Sequence, residues 1–247
     1  MFLFRIPTCS DVRRPKHSEH SDEHSDVACP TIMKGDIFHI LNRGVEKRKI
    51  FLDKDDYLRF VYNLYDFNNV DNVVESFYRR RLLSDVARRK KRSKKSKKEL
   101  VDMLCWCLMP NHIHTFVLEK VNGGAGIFSK KIIGGYTKYF NSDNKRSGVL
   151  FQGRSKIIPI QRNEHFLYIP YYIFSNPIKL IEPRWKEKGI KDLKRVIDFL
   201  ENYKWSSYLD IIGENNFPSI INKKLFFEIF DTNERQFKKD FIEWLTG

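Results

Sequence analysis

Long apolar runs are absent from this sequence of 247 residues. No stretch approaches about 18 consecutive apolar residues, the length at which a segment becomes a candidate for a membrane-spanning helix. The opening segment MFLFRIP is too short for the apolar part of a secretory signal. Cysteine is scarce, and the spacing of the four cysteines is not that of a disulfide framework. They are Cys9, Cys29, Cys105 and Cys107. We therefore expect a cytoplasmic protein with reduced thiols and no membrane partner.

Acidic residues are nearly missing from residues 79–98, RRRLLSDVARRKKRSKKSKK. This segment holds twelve Lys or Arg against one acid, Asp85, so a local charge of +11 accounts for most of the net charge of +14. Such a block is equally typical of a solvated segment and of one that contacts a nucleic-acid backbone. A flexible basic segment can do both, and the charge therefore favours a polyanionic partner.

The pattern of apolar residues divides the chain. Residues 1–33 are polar, contain the near-repeat HSEHSDEHSD and are expected to be disordered. The elements predicted after this tail are a strand over 36–43, a helix with Asp53 as its N-cap, a hairpin around Pro110-Asn111, a helix over 126–141, a strand over 149–160 and a helix from Asn163 to Asn176-Pro177. Pro170 should kink the last helix or mark its true start.

This order of strands and helices predicts the fold class. It is the order of a ferredoxin-like or RRM-like α+β domain, in which helices lie on a central antiparallel sheet. We predict that this domain covers residues 34–212, with a basic insertion at about 71–100. Amphipathic helices are predicted over 190–208 and 222–245, so residues 213–247 form a helical C-terminal extension.

Two histidines stand one residue apart in LMPNHIHTFVL, residues 108–118. On a strand, His112 and His114 project to the same side and could share a metal ion. An H-x-H pair on a strand is nevertheless more often structural, and a catalytic metal site also needs a third ligand and an open position. Cys105 and Cys107 could complete a Cys₂His₂ zinc site across the hairpin, although a one-residue change in loop length would turn both thiols to the other face.

A second pattern lies in IPYYIFSNPIK, where Tyr172 and Asn176 stand four residues apart and share one face of a helix. The carbonyl oxygen of an asparagine is a hard ligand that suits Mg²⁺ or Mn²⁺, and a tyrosine beside such an ion is a potential nucleophile. The alternative is that Tyr172 is one more aromatic residue of an aromatic helix.

Six segments, in this order along the chain, resemble the HUH single-tyrosine transposases, which are the insertion-sequence-200-like family, and within that family the REP-associated tyrosine transposase branch. They are HILNRGVEKRKIFLDKDDYLRF at 39–60, CLMPNHIHTFVL at 107–118, GGYTKYFN at 134–141, SGVLFQGRSKI at 147–157, YYIFSNPIK at 171–179 and YKWSSY at 203–208. The resemblance covers residues 36–210.

The resemblance implies a site and an activity. It makes His112 and His114 the HUH metal ligands, Asn176 the third ligand of a Mg²⁺ or Mn²⁺ ion, and Tyr172 the nucleophile. Tyr136 and Tyr139 rank second as nucleophiles. The implied reaction is cleavage and rejoining of single-stranded, hairpin-bearing DNA through a 5′-phosphotyrosine intermediate, in DNA transposition. The alternative is a catalytically silent nucleic-acid-binding module of the same fold.

Two further points concern the metal and the partners. Ligand softness alone favours Zn or Mn over Mg at two imidazoles, whereas the resemblance implies Mg²⁺ or Mn²⁺.

We predict DNA contacts at Arg43, Arg154 and Lys156, although the two arginines could equally form surface ion pairs. Relatives include monomers and also dimers that exchange the tyrosine helix, so a homodimer stays open.

Overall fold

The computed structural model describes residues 35–71, 97–161 and 163–247, without the side chains of residues 163–165. The expected disordered tail over 1–33 and most of the basic insertion lie outside these residues. Within the described ranges, no helix is long and apolar enough to cross a membrane.

Four strands form one antiparallel sheet with the order β2-β3-β1-β4. The strands are β1 (Ile37–Arg43), β2 (Val101–Met109), β3 (His112–Glu119) and β4 (Lys156–Pro159). A tight turn at Pro110-Asn111 joins β2 to β3, as predicted. The strand order is that of a ferredoxin-like domain, so the predicted α+β fold with a central antiparallel sheet is confirmed.

Helices cover both faces of the sheet. They are α1 (Lys54–Asp66), α2 (Gly124–Asp143), α3 (Asn163–Ser175), α4 (Trp185–Lys188), α5 (Leu193–Leu200), α6 (Tyr208–Ile211), α7 (Lys223–Phe230) and α8 (Glu234–Thr246). Short 3-10 helices cover Val45–Lys47 and Asn176–Leu180. The face of β3 that carries His114 and Phe116 lies under α3, where Phe116 contacts Phe166. The pair of α1 and α2 packs on the sheet as a second layer.

The C-terminal helices bury the outer side of α3 in aromatic contacts. Phe166 stacks on Phe230 of α7 with ring centroids 4.7 Å apart, and Tyr171 stacks on Phe241 of α8 at 5.7 Å. Aromatic side chains of this size dominate core energetics because each buries a large apolar area. Helix α3 is therefore held between the sheet and the C-terminal helices, and it continues through Pro170 instead of beginning there.

Three predicted elements are shorter than expected. The helix predicted over 222–245 is divided into α7 and α8, because the chain takes a left-handed turn at Asp231, where φ is +45°. The strand expected over 149–160 is reduced to β4, because the chain turns at Gly153, where φ is +74°. Before this turn, the strand pairing is limited to a single bridge between Phe151 and Gly44. The helix expected over 190–208 ends at Leu200. Residues 205–207 instead line the free edge of β2, with backbone bonds of 2.8 Å from Leu108 to Trp205 and 3.0 Å from Ser207 to Trp106. This pairing protects a sheet edge that would otherwise expose backbone groups.

The start of α1 shows a local signal that the sequence predicts correctly. Asp53 is the N-cap, and its carboxylate accepts the backbone N–H groups of Asp55 at 2.9 Å and Asp56 at 3.0 Å. These bonds satisfy two of the N–H groups that the first turn of a helix leaves unpaired.

Two neighbouring glycines of α2 give a matched test of the packing between α1 and α2. A Cβ at Gly134 would meet nothing within 4 Å, whereas a Cβ at Gly135 would overlap the ring of Phe67, with the ring Cζ only 2.7 Å away. Gly134→Ala should raise the free energy of unfolding by about 0.5–1 kcal/mol through helix propensity. Gly135→Ala should lower it by about 1–3 kcal/mol through overpacking. Urea denaturation measures both, and equal stability of the two variants would contradict the role of Phe67.

Candidate active site

The register between β1 and β3 brings a set of polar side chains to one face of the sheet. Arg43 lies opposite His112, and Leu41 lies opposite His114. Because side chains of directly opposed residues share a face, and so do alternate residues of one strand, His39 lies on this face as well. The face is the one that α3 covers, and it is where the predicted metal ligands and the predicted nucleophile meet.

The two predicted histidine ligands lie side by side. Their ring centroids are 5.0 Å apart with planes 85° from each other. His114 is only 3% exposed, and His112 is half-buried. Nδ1 of His112 lies 2.7 Å from Oδ1 of Asn111, and Asn111 in turn donates its amide N–H to the carbonyl of Lys47 at 3.1 Å. Since a carboxamide oxygen only accepts, His112 donates from Nδ1 and keeps the lone pair on Nε2.

Both imidazoles are neutral at physiological pH. Burial lowers the pKa of His112 to about 4, with further contributions from the positive charges of Arg43 and Lys179. Burial also lowers the pKa of His114 well below its usual value, as do the neighbouring His39 and His112 rings. A metal ion binds the unprotonated imidazole, so these shifts remove the competition from protons.

Tyr172 stands over the histidines from α3. Its ring meets that of His114 edge-on, with centroids 5.5 Å apart and planes at 89°. Nζ of Lys186 lies 4.4 Å from the centroid of the Tyr172 ring. Burial raises the pKa of the phenol, and this effect is opposed by Arg43 and by the side chain of Asn176. The hydroxyl is therefore protonated at neutral pH, and it sits among groups that favour its ionised form.

Asn176 begins the 3-10 helix that follows α3, and it is fully buried. Its amide N–H donates to the carbonyl of Tyr172 at 2.7 Å, which fixes the orientation of the side chain. Its Oδ1 has no hydrogen-bond partner among the described residues, and neither has Nε2 of His114. Buried acceptors without partners are rare because leaving them unsatisfied costs about 1–3 kcal/mol each. A cation that accepts both lone pairs would satisfy them.

The donor set therefore fits a divalent ion. Two imidazole nitrogens and one amide oxygen are ligand types that suit Mn²⁺, and the amide oxygen suits Mg²⁺. Residues His112, His114 and Asn176 are the ones that would hold it. Among the described side chains, no group of three or more His, Cys, Asp or Glu is arranged to bind a metal. The Cys₂His₂ zinc alternative thus lacks its geometry: Cys107 lies opposite His114, but Cys105 lies opposite Phe116 and His112 lies opposite Met109, so the four side chains do not converge.

The predicted DNA-contacting residues lie at different distances from this centre. Arg43 acts directly on His112 and Tyr172 through its charge. Lys156 is exposed at the start of β4 opposite Leu41, so it shares the face of the histidines one strand further out. Arg154 is exposed in the turn before β4, which is tied to the end of β1 by a 2.7 Å bond from the backbone N–H of Gln152 to the carbonyl of Arg43.

The two competing tyrosines lie on α2. Tyr136 is fully buried in the layer of α1 and α2, where its ring contacts Phe51 and its hydroxyl donates to the carbonyl of Ile50 at 2.5 Å. Tyr139 is half-buried with the guanidinium of Arg59 over its ring, and burial raises its pKa to about 12. The structure places neither ring with the histidines, and it places Tyr172 there.

Sequence reasoning missed three side chains at this centre. Lys179 is exposed three residues after Asn176 and so lies on the same side of a 3-10 helix. Lys186 lies on α4, which no local pattern connects to Tyr172. His39 could have been found from the alternation of β1, because residues 39, 41 and 43 share one face.

Comparison with known proteins gives a match among solved structures alone. No family model matches the sequence, and no curated protein matches it. Among solved structures, the chain is similar to a REP-associated tyrosine transposase bound to a REP hairpin, with 14% identity and a TM-score of 0.43, over 82% of this chain and 90% of that one. The functional assignment therefore depends on the geometry of the chain itself.

The tyrosines differ in what their hydroxyl groups do for stability. Tyr136→Phe should lower the free energy of unfolding by about 1 kcal/mol, because it leaves the buried carbonyl of Ile50 without its donor. Tyr172→Phe should change it by less than about 0.5 kcal/mol, because that side chain is only half-buried. Guanidinium denaturation of both variants measures this difference, and a larger loss for Tyr172→Phe would assign Tyr172 a structural role.

Proposed function

We propose that this chain is a cytoplasmic DNA strand transferase of the HUH tyrosine transposase type, which cleaves and rejoins single-stranded DNA through Tyr172. One observation carries the proposal. The Tyr172 phenol stands edge-on to His114 in a site where two buried polar atoms, His114 Nε2 and Asn176 Oδ1, have no partner among the described residues. A nucleophile beside an incomplete set of ligands is the arrangement that metal-assisted phosphoryl transfer needs.

The charge around the site supports a phosphate substrate. Arg43 and Lys179 lower the pKa of both histidines, so their positive charge acts at the two residues beside which a scissile phosphate would lie. When bound by His112, His114 and Asn176, a divalent ion would act as a Lewis acid on a non-bridging phosphate oxygen. The two cationic side chains would stabilise the charge that develops on that phosphate, and Arg43 also favours the ionised form of the phenol.

The covalent step exchanges one phosphodiester for another. The oxygen of Tyr172 attacks the phosphorus, a tyrosine–phosphate bond forms, and the bond from phosphorus to the 3′ oxygen breaks. The phenolic proton is released to solvent and the leaving 3′ oxygen takes up a proton, so the products are a 5′-phosphotyrosine and a 3′-OH. Because bonds of the same kind are broken and made, the step is close to thermoneutral and runs backward onto a new strand without ATP.

Under this proposal, one chain supplies all the named groups of the site. Tyr172, both histidines and Asn176 come together without a second copy, since α3 packs on the sheet of its own chain. The proposal therefore requires a single-stranded DNA partner, for which a hairpin-bearing strand is the candidate, and it does not require a homodimer.

Tyr172→Phe should abolish covalent adducts. Full-length protein is incubated with single-stranded oligonucleotides tiled from the DNA that flanks its own gene, with and without Mn²⁺, and denaturing gels detect protein linked to DNA. The wild type should form adducts only with Mn²⁺, and Tyr172→Phe should form none while still binding DNA. Tyr136→Phe is the matched control and should keep its adducts.

Two outcomes would contradict this assignment. Adducts that persist in Tyr172→Phe and vanish in Tyr136→Phe or Tyr139→Phe would move the nucleophile to α2. DNA binding by the wild type without any Mn²⁺-dependent cleavage would instead favour the silent nucleic-acid-binding module.

Asn176 can be tested as a ligand separately from catalysis. Asn176→Ala should weaken Mn²⁺ binding by at least about tenfold. Removing a group that only orients a metal ligand typically lowers metal affinity by about this factor, and removing a ligand itself should lower it at least as much. Asn176→Asp should keep or tighten binding, since a carboxylate is a stronger hard ligand. Titrating metal-free protein and following free Mn²⁺ by electron paramagnetic resonance measures both. If Asn176→Asp binds as weakly as Asn176→Ala, the amide serves the backbone of Tyr172 and not a metal.

A further inference from the structure

His39 is the one histidine of the site that the metal chemistry does not use. It is 5% exposed on β1, and its Nε2 lies 2.9 Å from Nδ1 of His114. The two rings are nearly parallel, with centroids 5.1 Å apart and planes 20° from each other. The edge of the Tyr172 ring approaches His39 as well, at 6.1 Å between centroids. His39 is therefore packed into the centre of the site.

A hydrogen bond between two ring nitrogens contains one proton. The ring that supplies this proton decides whether Nε2 of His114 carries a proton or a lone pair. If His39 donates, Nδ1 of His114 is the acceptor, and a neutral His114 then carries its proton on Nε2. That N–H would be buried without an acceptor among the described residues. If His114 donates from Nδ1, its Nε2 keeps a lone pair, which a cation can take. Only the second arrangement avoids a buried, unsatisfied donor once an ion is bound.

We propose that His39 is a positioning residue, which accepts a hydrogen bond from Nδ1 of His114 and thereby holds the Nε2 lone pair of His114 ready for the metal. The inference rests on the proposed function, because it assigns His39 a task only at a metal site. Groups that accept from the second nitrogen of a metal-bound histidine fix both its tautomer and its ring orientation.

His112 is held by the same kind of hydrogen bond through Nδ1, made to a different residue. Nδ1 of His112 donates to Oδ1 of Asn111, and the Asn111 amide is itself held by the carbonyl of Lys47. Both histidines of the pair are thus bonded through Nδ1, and both present Nε2. Two unrelated contacts that select one tautomer at adjacent positions are what a two-histidine metal site requires.

His39 is not a third ligand. Nε2 of His39 is bonded to Nδ1 of His114, whereas the proposed metal ligand is the other ring nitrogen of His114, its Nε2. A neutral imidazole in this position also differs from the carboxylate that often supports metal-bound histidines, because it adds no negative charge beside the phosphate. His39 thus orients His114 and leaves the positive field of Arg43 and Lys179 intact.

The first experiment reads the tautomer directly in the metal-free wild type. Full-length protein labelled with ¹⁵N-histidine is studied by long-range ¹H–¹⁵N spectroscopy, and the His114 signals are assigned by their loss in His114→Gln. Nδ1 of His114 should show the shift of a protonated ring nitrogen, and Nε2 that of an unprotonated one. A protonated Nε2 would overturn the proposal.

The second experiment compares two replacements of His39. His39→Phe keeps a ring but removes the acceptor, so Mn²⁺ binding measured by electron paramagnetic resonance should weaken by about 10–100-fold. His39→Gln can still accept through its carbonyl oxygen and should recover most of this loss. Ile37→Ala, two residues earlier on the same face of β1, is the packing control: it should lower thermal stability without changing Mn²⁺ affinity.

The outcomes separate this inference from the proposed function. If the wild type binds Mn²⁺ and a folded His39→Phe variant binds it equally well, His39 has no positioning role while the metal site stands. If His39→Gln is as weak as His39→Phe, ring packing and not hydrogen bonding is responsible, and the proposal is wrong. If the wild type binds no Mn²⁺, the proposed function fails, whereas the tautomer measurement still reports on the bond between His39 and His114.

Discussion

The antiparallel register between β1 and β3 is the constraint on which the site depends. It sets Arg43 opposite His112 and Leu41 opposite His114, so these histidines, Arg43 and His39 share the face beneath α3. A slip of one residue would turn the side chains of one strand to the other face of the sheet. The register is held by burial, because Ile113, between the two histidines, and Val117, further along β3, are fully buried on the opposite face. Apolar packing on one side of the sheet thus fixes the polar chemistry on the other.

The aromatic residues of helix α3 have two roles: some pack against the C-terminal helices, and one faces the histidines. Tyr171 and Phe174 pack against Phe241 and Phe237 of α8, whereas Tyr172 turns toward His114. Neighbouring residues of a helix point about 100° apart, so adjacent aromatic side chains reach different layers. An aromatic helix and a nucleophile-bearing helix are therefore not alternatives here. The contacts of Tyr171 and Phe174 with the C-terminal helix hold the backbone that carries Tyr172 and Asn176.

Local patterns predicted the parts of the fold and of the candidate site that depend on a few neighbouring residues. The alternation of His112 and His114, the spacing from Tyr172 to Asn176 and the N-cap at Asp53 are of this kind. His39 was missed because its partner His114 is 75 residues away, and the contact exists only in one strand register. Residues 205–207 were assigned to a helix because the free edge of β2 that they cover lies about a hundred residues earlier. The zinc alternative failed for the same physical reason, since one hairpin register decides which thiols face which imidazoles.

The charges of the site bear on how metal and substrate would meet under the proposed function. Among the described residues, the groups that mainly shift the pKa values of His112, His114 and Tyr172 include no carboxylate, and two of them, Arg43 and Lys179, are cationic. Neutral ligands beside cations hold a divalent ion less strongly than carboxylates would, because they do not neutralise it. The charge that remains is then available to a phosphate, whose oxygens neutralise both the ion and the cationic side chains. Metal and DNA should consequently bind with positive coupling, and by linkage each raises the affinity of the site for the other to the same extent.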